Sequence, residues 1–226
     1  MTEPSDLIIE QIEMGPMQNF VYIVGSRSTR EVAVVDPAWD IDGILKLLEE
    51  RNYKLTAALV THYHPDHIGG AFGSNKIQGL SELLEKNPVK IYVHKTEAAG
   101  VKKVTGISES DMEKVNSGDT LKVGLIDVEF LHTPGHTPGS QCFKIKNTLV
   151  SGDTLFVRGC GRVDLPGSDS EQMYHSLRKL ADLPDDTILL PGHNYGAVPT
   201  ATMGETKTQN AHLNVKDLTT WQRMMR

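Results

Sequence analysis

The sequence predicts an α/β fold in four layers, ordered αββα, from three observations. Strand-like segments fall into two sets, one in each half of the 226 residues. Segments with helical periodicity accompany each set and would cover its outer face. Four predicted strands also end just before histidine or aspartate residues, which places those side chains at one edge of the sheets. The length fits one domain, residues 1–226, with a short helical extension from about residue 200.

The first half opens with three predicted strands and a helix. Residues 7–12, 20–24 and 31–35 alternate or run apolar, which is typical of strands. Asp40 is the predicted cap of a helix, because apolar residues recur at helical spacing up to about Asn52. A buried strand at 55–60, a helix near 80–85, a strand at 90–93 and a weakly patterned helical segment at 97–117 follow.

The second half supplies another set of short strands. They are predicted at residues 120–123, 127–131, 141–145 and 148–151, with a last strand at 187–190. Ser168 and Glu171 have the spacing of a capping box, which predicts a helix up to about Leu180. Trp221, near the C-terminus, predicts a further helix that packs on the domain.

Composition excludes several classes of function. The 23 Lys and Arg against 29 Asp and Glu give a net charge of -6, which provides no cationic field for nucleic acid. Two cysteines are too few for a disulfide framework, and no apolar run approaches the length of a membrane span. Residues 1–6 are acidic where a secretory signal needs basic residues. We expect a cytoplasmic protein that binds neither nucleic acid nor membranes.

The nine histidines are the unusual feature, because several fall in clusters beside aspartate and glycine. His62 and His64 are alternate residues, so in an extended segment they face the same way and can bind one ion. Pro65 forces a turn after them, which aims Asp66 and His67 elsewhere. The segment therefore predicts two half-sites for metal ions.

Three residues farther along the chain complete the two half-sites. His136 would be the third imidazole of the first position, and His193 would complete the second. Asp153 remains, and a carboxylate between two cations can bridge them at roughly 3.5 to 4 Å, as in two-metal hydrolytic sites. Imidazole and carboxylate ligands without thiolate favour zinc, iron or manganese over copper(I). The residues predict two divalent ions per chain.

Four motifs resemble those of the metallo-β-lactamase superfamily. They are Thr61-His62-Tyr63-His64-Pro65-Asp66-His67, His132-Thr133-Pro134-Gly135-His136-Thr137-Pro138-Gly139, Ser151-Gly152-Asp153 and Pro191-Gly192-His193. The resemblance runs from about residue 8 to about residue 195 and fills all seven ligand positions of that superfamily: His62, His64, Asp66, His67, His136, Asp153 and His193. It implies a four-layer αββα metallo-β-lactamase sandwich in which a metal-bound hydroxide acts with Asp66 and Asp153.

The stretch from Gly152 to Arg162 resembles the glyoxalase II branch, whose members hydrolyse glutathione thioesters. In that branch a basic residue after Gly-Cys-Gly and a tyrosine near the last histidine help to hold glutathione, which implies substrate-binding roles for Arg162 and Tyr195. The chain departs from this branch in two respects. Asp164 stands where glyoxalase II has an aromatic residue, and about thirty residues follow His193 in place of a helical domain.

The string from Arg158 to Asp164 resembles, instead, the persulfide dioxygenases, which are sister enzymes with a single iron. Those enzymes use the positions of His62, His136 and Asp153 as their three ligands. The two branches share side chains and differ in metal loading, so the sequence leaves both readings open.

For three further residues, both a structural role and a functional role are open. Asp36, before Pro37, is either a turn residue or a hydrogen-bond partner of the metal-binding loop. His132 lies near the site and could orient His136. Cys160 has no adjacent histidine to activate it, which favours a loop role over a nucleophile.

We therefore expect a dinuclear metallohydrolase in which a metal-bridging hydroxide attacks an acyl carbon, with zinc as the first choice of metal. The expected substrates are thioesters of a small thiol. The alternative is a mononuclear iron persulfide dioxygenase, and lactam or lactone hydrolysis is a weaker alternative as a side activity. Monomer and homodimer both fit the sequence.

Overall fold

Two six-stranded sheets face each other within residues 6–225, the part of the chain that the computed structural model describes. Helices cover the outer face of each sheet, so the predicted αββα order of layers is confirmed. Residues 1–5, on which the expectation of no secretory signal depends, lie outside the described residues. Between residues 6 and 225, no helix has the length and apolar character needed to cross a bilayer.

The first half of the chain forms the first sheet, its covering helices and a small two-stranded sheet. Its elements are β1 (Leu7–Met14), β2 (Asn19–Ser26), β3 (Glu31–Val35), α1 (Ile41–Glu50), β4 (Lys54–Leu59), α2 (Pro65–Ile68), β5 (Gly70–Phe72), β6 (Asn75–Ile77), α3 (Leu80–Lys86), β7 (Lys90–His94), α4 (Ala98–Thr105) and β8 (Met112–Val115). The sheet order is β1-β2-β3-β4-β7-β8. Asp40 caps α1 as predicted, because its side chain accepts a hydrogen bond from the Gly43 N–H.

The second half forms the second sheet and the helices on its outer face. Its elements are β9 (Thr120–Val123), β10 (Ile126–His132), β11 (Gln141–Ile145), β12 (Thr148–Gly152), α5 (Ser170–Ala181), β13 (Ile188–Pro191), β14 (Ala201–Thr202), α6 (Met203–Gln209), α7 (Ala211–Asn214) and α8 (Leu218–Met224). The sheet order is β14-β13-β12-β11-β10-β9.

Alternation along the strands explains why the sheets stack. In β2, Val21 and Ile23 face the helices on the outside, whereas Phe20, Tyr22 and Val24 face the other sheet. Successive side chains of a strand point to opposite faces, so a strand that is apolar throughout must be covered on both. Burying each such side chain contributes about 1.5–3 kcal/mol. The centre of the fold is therefore a rigid support for the loops at its edge.

Those loops leave the carboxyl ends of β4, β10, β12 and β13. Strand β4 is parallel to β3 and β7, and β12 is parallel to β13, so their carboxyl ends point the same way. This confirms that distant segments of the chain deliver their polar residues to one edge.

Three local predictions were wrong. The helical segment predicted for 97–117 is helical only over Ala98–Thr105, because Gly106 adopts a left-handed conformation with φ 77° and ends α4, and Met112–Val115 instead pairs with β7. The cap of α5 is Asp169, whose side chain accepts from Gln172 N, and not Ser168. Residues 187–190 are followed by one more short strand, β14, which pairs antiparallel with β13.

Candidate metal centre and substrate cavity

Three histidines from two loops meet at the sheet edge and form a group that we call the first triad: His62, His64 and His136. His62 and His64 follow β4, and His136 follows β10. The Nε2 atom of His136 lies 2.9 Å from Nδ1 of His64. The candidate ligand atoms of the triad all lie within 4.8 Å of one another. The spacing along the sequence thus places these imidazoles around one point.

A second group, the second triad, consists of Asp66, His67 and His193. Pro65 occupies the first turn of α2, where its missing N–H is not needed, and this turn separates Asp66 and His67 from the preceding histidines. The Nε2 atoms of His67 and His193 are 3.1 Å apart, and each lies 3.4 Å from Oδ2 of Asp66.

Asp153 lies between the two triads. Its Oδ1 atom is 3.4 Å from His67 Nε2, and its Oδ2 atom is 3.4 Å from His193 Nε2 and 3.6 Å from His136 Nε2. Burial alone would raise the pKa of this carboxyl, but the surrounding imidazoles, foremost His67, outweigh burial and hold the pKa well below its ordinary range. Asp153 is therefore an ionised group that touches both triads.

The outward nitrogens of the imidazoles are fixed by backbone acceptors. His136 Nδ1 donates to the carbonyl of Arg162 at 2.8 Å, and His193 Nδ1 donates to the carbonyl of Met17 at 2.9 Å. A carbonyl oxygen only accepts, so Nδ1 carries the hydrogen in both rings. The Nε2 atoms consequently present lone pairs to the centre of the site.

Asp36 fixes two more imidazoles. Its carboxylate accepts from His67 Nδ1 at 3.0 Å, and from the backbone N–H and hydroxyl of Thr61 at 2.7 and 2.5 Å. Because the Thr61 hydroxyl donates to Asp36, it accepts from Nδ1 of His62, 3.0 Å away. Of the two interpretations of Asp36, the contacts show the hydrogen-bond partner of the metal-binding loop.

The residues present fit divalent cations. Among residues 6–225, His62 Nε2 and Asp153 Oδ1 are buried atoms with no hydrogen-bond partner. The lone pairs of His67 and His193, 3.1 Å apart, repel each other unless a positive charge lies between them. A set of imidazoles and carboxylates without thiolate suits zinc, iron or manganese.

The pKa directions distinguish the two triads. Burial lowers the pKa of His62 far below its ordinary value, and burial together with His136 lowers the pKa of His64 to about 4. Burial would also lower the pKa of His67, but the neighbouring carboxylates, first Asp66, outweigh it and raise the pKa to about 10. His62 and His64 thus stay neutral and ready to ligate, whereas His67 attracts positive charge, whether a proton or a metal ion.

Glu97 is a support that the sequence analysis missed. Its buried carboxylate accepts from Tyr63 N at 2.8 Å, from the Thr137 hydroxyl at 2.6 Å and from Gly139 N at 2.7 Å. Burial raises its pKa to about 7, although the three donors act in the opposite direction. Tyr63 separates the two histidines of one loop and Thr137 follows the histidine of the other, so Glu97 ties together the loops of the first triad.

A cavity of about 500 Å³ opens over these ligands. Pro65 and Gly161 also line it, and the other lining residues, which we call the cavity wall, are Met17, Phe156, Arg158, Cys160, Arg162, Leu165 and Tyr195. The volume lies within the range of small-molecule sites. A wall that combines apolar, aromatic and cationic side chains suits an organic substrate with an anionic group.

The two predicted substrate residues both lie in this wall. Tyr195 stacks on the His193 ring with centroids 4.4 Å apart, and burial, reinforced by Asp153 and Asp66, raises the pKa of its hydroxyl to about 12. The hydroxyl therefore remains protonated and able to donate. Arg162 donates to both carboxylate oxygens of Asp164, at 2.9 and 2.8 Å, so its charge is shared at the surface.

Arg158 is a second cation in the wall, and it was not singled out from the sequence. Within the described part of the chain, its guanidinium has no hydrogen bond or ion pair. The loop that carries it is fixed from below, because Nδ2 of the buried Asn210 donates to the carbonyls of Phe156 at 3.0 Å and Gly159 at 2.8 Å. The C-terminal helices thereby shape the cavity wall.

His132 and Cys160 lie near the site, but neither contacts a candidate ligand in the way a direct role would need. His132 does not orient His136, so that expectation is wrong: its Nε2 contacts the carbonyl of Pro138 at 3.0 Å, and its ring stacks on His94 at 3.8 Å. Burial raises the pKa of Cys160 to about 12, which keeps it a thiol and agrees with a loop role.

Comparison with known proteins identifies the family. The profile of the metallo-beta-lactamase superfamily matches residues 14–193. The chain belongs to this superfamily of metal-dependent hydrolases. The match spans all four motifs from which the resemblance was inferred.

Individual relatives place the chain in the glyoxalase II-like and ETHE1-like branch. The probable hydroxyacylglutathione hydrolase glo2 of Schizosaccharomyces pombe is 35% identical over 191 residues, which cover 80% of this chain and 66% of that protein. The mitochondrial persulfide dioxygenase ETHE1 of Homo sapiens is 30% identical over 200 residues, covering 87% and 72%. The crystal structure of ETHE1 from Myxococcus xanthus gives a TM-score of 0.80 at 30% identity, covering 96% of this chain and 89% of that one.

Proposed function

We propose that the chain is a dinuclear metallohydrolase that cleaves thioesters of a small anionic thiol. The observation that carries this proposal is the position of Asp153, whose carboxylate lies within 3.4–3.6 Å of histidines in both triads. Two groups of three ligands with a shared carboxylate are the arrangement that two-metal hydrolysis requires.

The first triad, the second triad and the shared Asp153 would hold two ions, with zinc the first choice and iron or manganese the alternatives. When bound, such ions make water a nucleophile at neutral pH and polarise an acyl carbonyl. We assign the orientation of the attacking water to the carboxylates of Asp66, in the second triad, and Asp153, between the two triads. The buried Asp36 and the backbone carbonyls keep the imidazoles in the ligating tautomer.

The cavity wall would bind the substrate. Phe156 and Leu165 offer apolar surface to an acyl group, whereas Arg158, Arg162 and Tyr195 offer a cation and a protonated hydroxyl to a carboxylate of the thiol. The relative named hydroxyacylglutathione hydrolase supports a glutathione thioester as the first compound to test. The charge that Arg162 shares with Asp164 favours a modest affinity.

The decisive experiment is steady-state kinetics with a glutathione thioester and a short acyl thioester on zinc-loaded protein. We expect both to be hydrolysed, with a high KM for the glutathione compound because the wall offers few contacts. If neither thioester is cleaved, the proposal is overturned.

A second candidate is a mononuclear iron persulfide dioxygenase. It is supported by the string from Arg158 to Asp164 and by the ETHE1 relative. In this case His62, His136 and Asp153 would hold one iron. Oxygen uptake with glutathione persulfide by iron-loaded protein, without thioester cleavage, would select it. Lactam or lactone hydrolysis would be a weak side activity of the proposed hydrolase.

We further propose that residues 1–226 form one domain with a helical extension from about residue 200, acting in the cytoplasm as a monomer or homodimer. The two free cysteines and the acidic charge support this. Limited proteolysis that releases a stable fragment ending before residue 200 would contradict the single domain.

A further inference from the structure

Asn19, the first residue of β2, reaches the second triad although it is none of the expected ligands. Its Nδ2 atom donates to Oδ2 of Asp66 at 3.0 Å, and lies 3.4 and 3.5 Å from the Nε2 atoms of His67 and His193. The side chain is buried, with 2% of its surface exposed. A buried amide this close to three ligand atoms influences how they are arranged.

Trp39 decides which end of the amide faces the triad. Its indole Nε1, which can only donate, gives a hydrogen bond to Oδ1 of Asn19 at 3.0 Å. The oxygen is therefore turned away from the triad, and the amide hydrogens are turned toward Asp66. The indole thus fixes the orientation of the Asn19 amide. Without it, the amide could turn by about 180° and interchange the positions of its oxygen and nitrogen.

The backbone around both residues is built to hold this contact. Trp39 has φ 74°, a left-handed conformation that costs of order 1–3 kcal/mol in a residue with a side chain. Asn19 is joined to the loop of His193, because Phe20 N donates to the Gly192 carbonyl and Asn194 N donates to the Gln18 carbonyl, both at 2.8 Å. Strain and pairing together fix the amide relative to the ligands.

The first triad has no comparable contact. Its ligand loops are tied by Glu97, and its imidazoles are oriented by Thr61 and by the carbonyl of Arg162. Within residues 6–225, Asn19 makes the one hydrogen bond that the Asp66 side chain receives from a residue outside the ligand set. The two metal positions therefore have separate supports.

We propose that Asn19, locked by Trp39, is a positioning residue that sets the affinity of the second triad for its ion independently of the first. The inference rests on the dinuclear site proposed above. A hydrogen bond to a ligating carboxylate fixes its direction, and loss of such a partner typically lowers metal affinity about 10- to 100-fold.

The test is a zinc titration of metal-free protein against a chromophoric chelator, which yields two stepwise dissociation constants. We expect Asn19→Ala to raise one of the two constants, that of the second triad, about 10- to 100-fold and to leave the other within about threefold. Trp39→Phe, which removes the indole N–H together with one ring, should raise the same constant by a smaller factor, because the amide becomes free to turn.

Matched controls separate this role from a general loss of structure. Asn116→Ala removes an exposed asparagine that contacts Asp119, and Trp221→Phe removes an indole N–H that donates to Ser170; neither should change either constant. If Asn19→Ala does not fold, Trp39→Phe carries the test.

Equal weakening of both constants, or no weakening of either, would overturn the role of Asn19. A wild-type protein that binds no second ion even in excess zinc would overturn it as well. Two bound ions with the predicted change in Asn19→Ala, but no thioester cleavage, would leave this proposal standing and refute the proposed reaction.

Discussion

The ligand residues and the cavity wall above them are built in opposite ways. The two triads and Asp153 are largely buried, and nearly every imidazole is oriented by a hydrogen bond from its outward nitrogen. In the wall, Arg158 is exposed and has no hydrogen-bond or ion-pair partner among residues 6–225. Arg162 pairs with Asp164 at the surface, and 54% of Tyr195 is exposed.

We infer from this difference that the buried residues carry the reaction, whereas the cavity wall selects the substrate. Rigid, prearranged ligands set what reaction the site can perform, because their positions follow from the sheets. The wall comes from the loop after β12 and from the segment after His193, where exposed side chains can be exchanged without disturbing the fold.

The largest effect is expected for Asp153→Ala. Because this carboxylate lies near both triads, its loss should abolish measurable thioester hydrolysis and weaken both metal-binding steps. Asp66→Ala should weaken mainly one step, the binding of an ion at the second triad. Metal titration and kinetics of the two variants check this, and equal effects of the two substitutions on both steps would contradict the shared position of Asp153.

Glu97→Ala should have the next largest effect. It leaves three donors without their buried acceptor, each costing about 1–3 kcal/mol, so the free energy of unfolding should fall by several kcal/mol. It should also weaken metal binding at the first triad about tenfold, since the two loops of that triad lose the carboxylate that joins them. Glu113→Ala, an exposed glutamate, is the control. A destabilised variant with an unchanged first binding constant would show that Glu97 supports the fold but not the ligands.

Substitutions in the wall should act on KM. Arg158→Ala should raise the KM for a glutathione thioester about five- to tenfold with little change in kcat, because a charge-assisted hydrogen bond acts equally on bound substrate and transition state. Arg162→Ala should raise KM less, since Asp164 already shares its charge. The distant Arg223→Ala serves as the control. A larger effect of Arg162→Ala would place the substrate anion on that residue instead.

The smallest effect is expected at His94, which supports the loops without touching a ligand. Burial, with His132 adding to it, lowers the pKa of His94 from 6.5 to about 4. The unfolded chain therefore binds a proton before the folded chain does, and wild-type stability falls as the pH drops from about 6.5 to about 4. His94→Asn should show a shallower loss over this window in denaturant titrations. Parallel curves would mean that His94 is not held neutral.

The sequence alone was sufficient to select the seven candidate ligands, because their residue types and spacing are local. Four of them, His62, His64, Asp66 and His67, lie within six residues. The other three, His136, Asp153 and His193, each follow the end of a predicted strand. Glu97 and Asn19 could not be found in this way. Each acts on ligands from distant segments, and neither stands beside another polar residue with ligand spacing. Only the packing of the sheets brings them to the site.

The same limit applies to parts of the fold. Apart from β8 and β14, the strands of the two six-stranded sheets were predicted to within a few residues, since their apolar patterns are strong. The helical prediction for residues 97–117 was wrong beyond α4, because Gly106 ends the helix and the pairing of Met112–Val115 with β7 overrides a weak local preference. The ion pair of Arg162 with Asp164 was likewise invisible, although the two residues are close in sequence.

The most direct measurement is the rate of thioester hydrolysis as zinc is added stepwise to metal-free protein, with oxygen uptake on glutathione persulfide measured in parallel on iron-loaded protein. The dinuclear site predicts that hydrolysis rises mainly with the second equivalent and reaches its plateau at about two equivalents per chain. The dinuclear hydrolase would be contradicted if oxygen uptake reached its maximum with one iron per chain and no thioester were cleaved at any zinc loading.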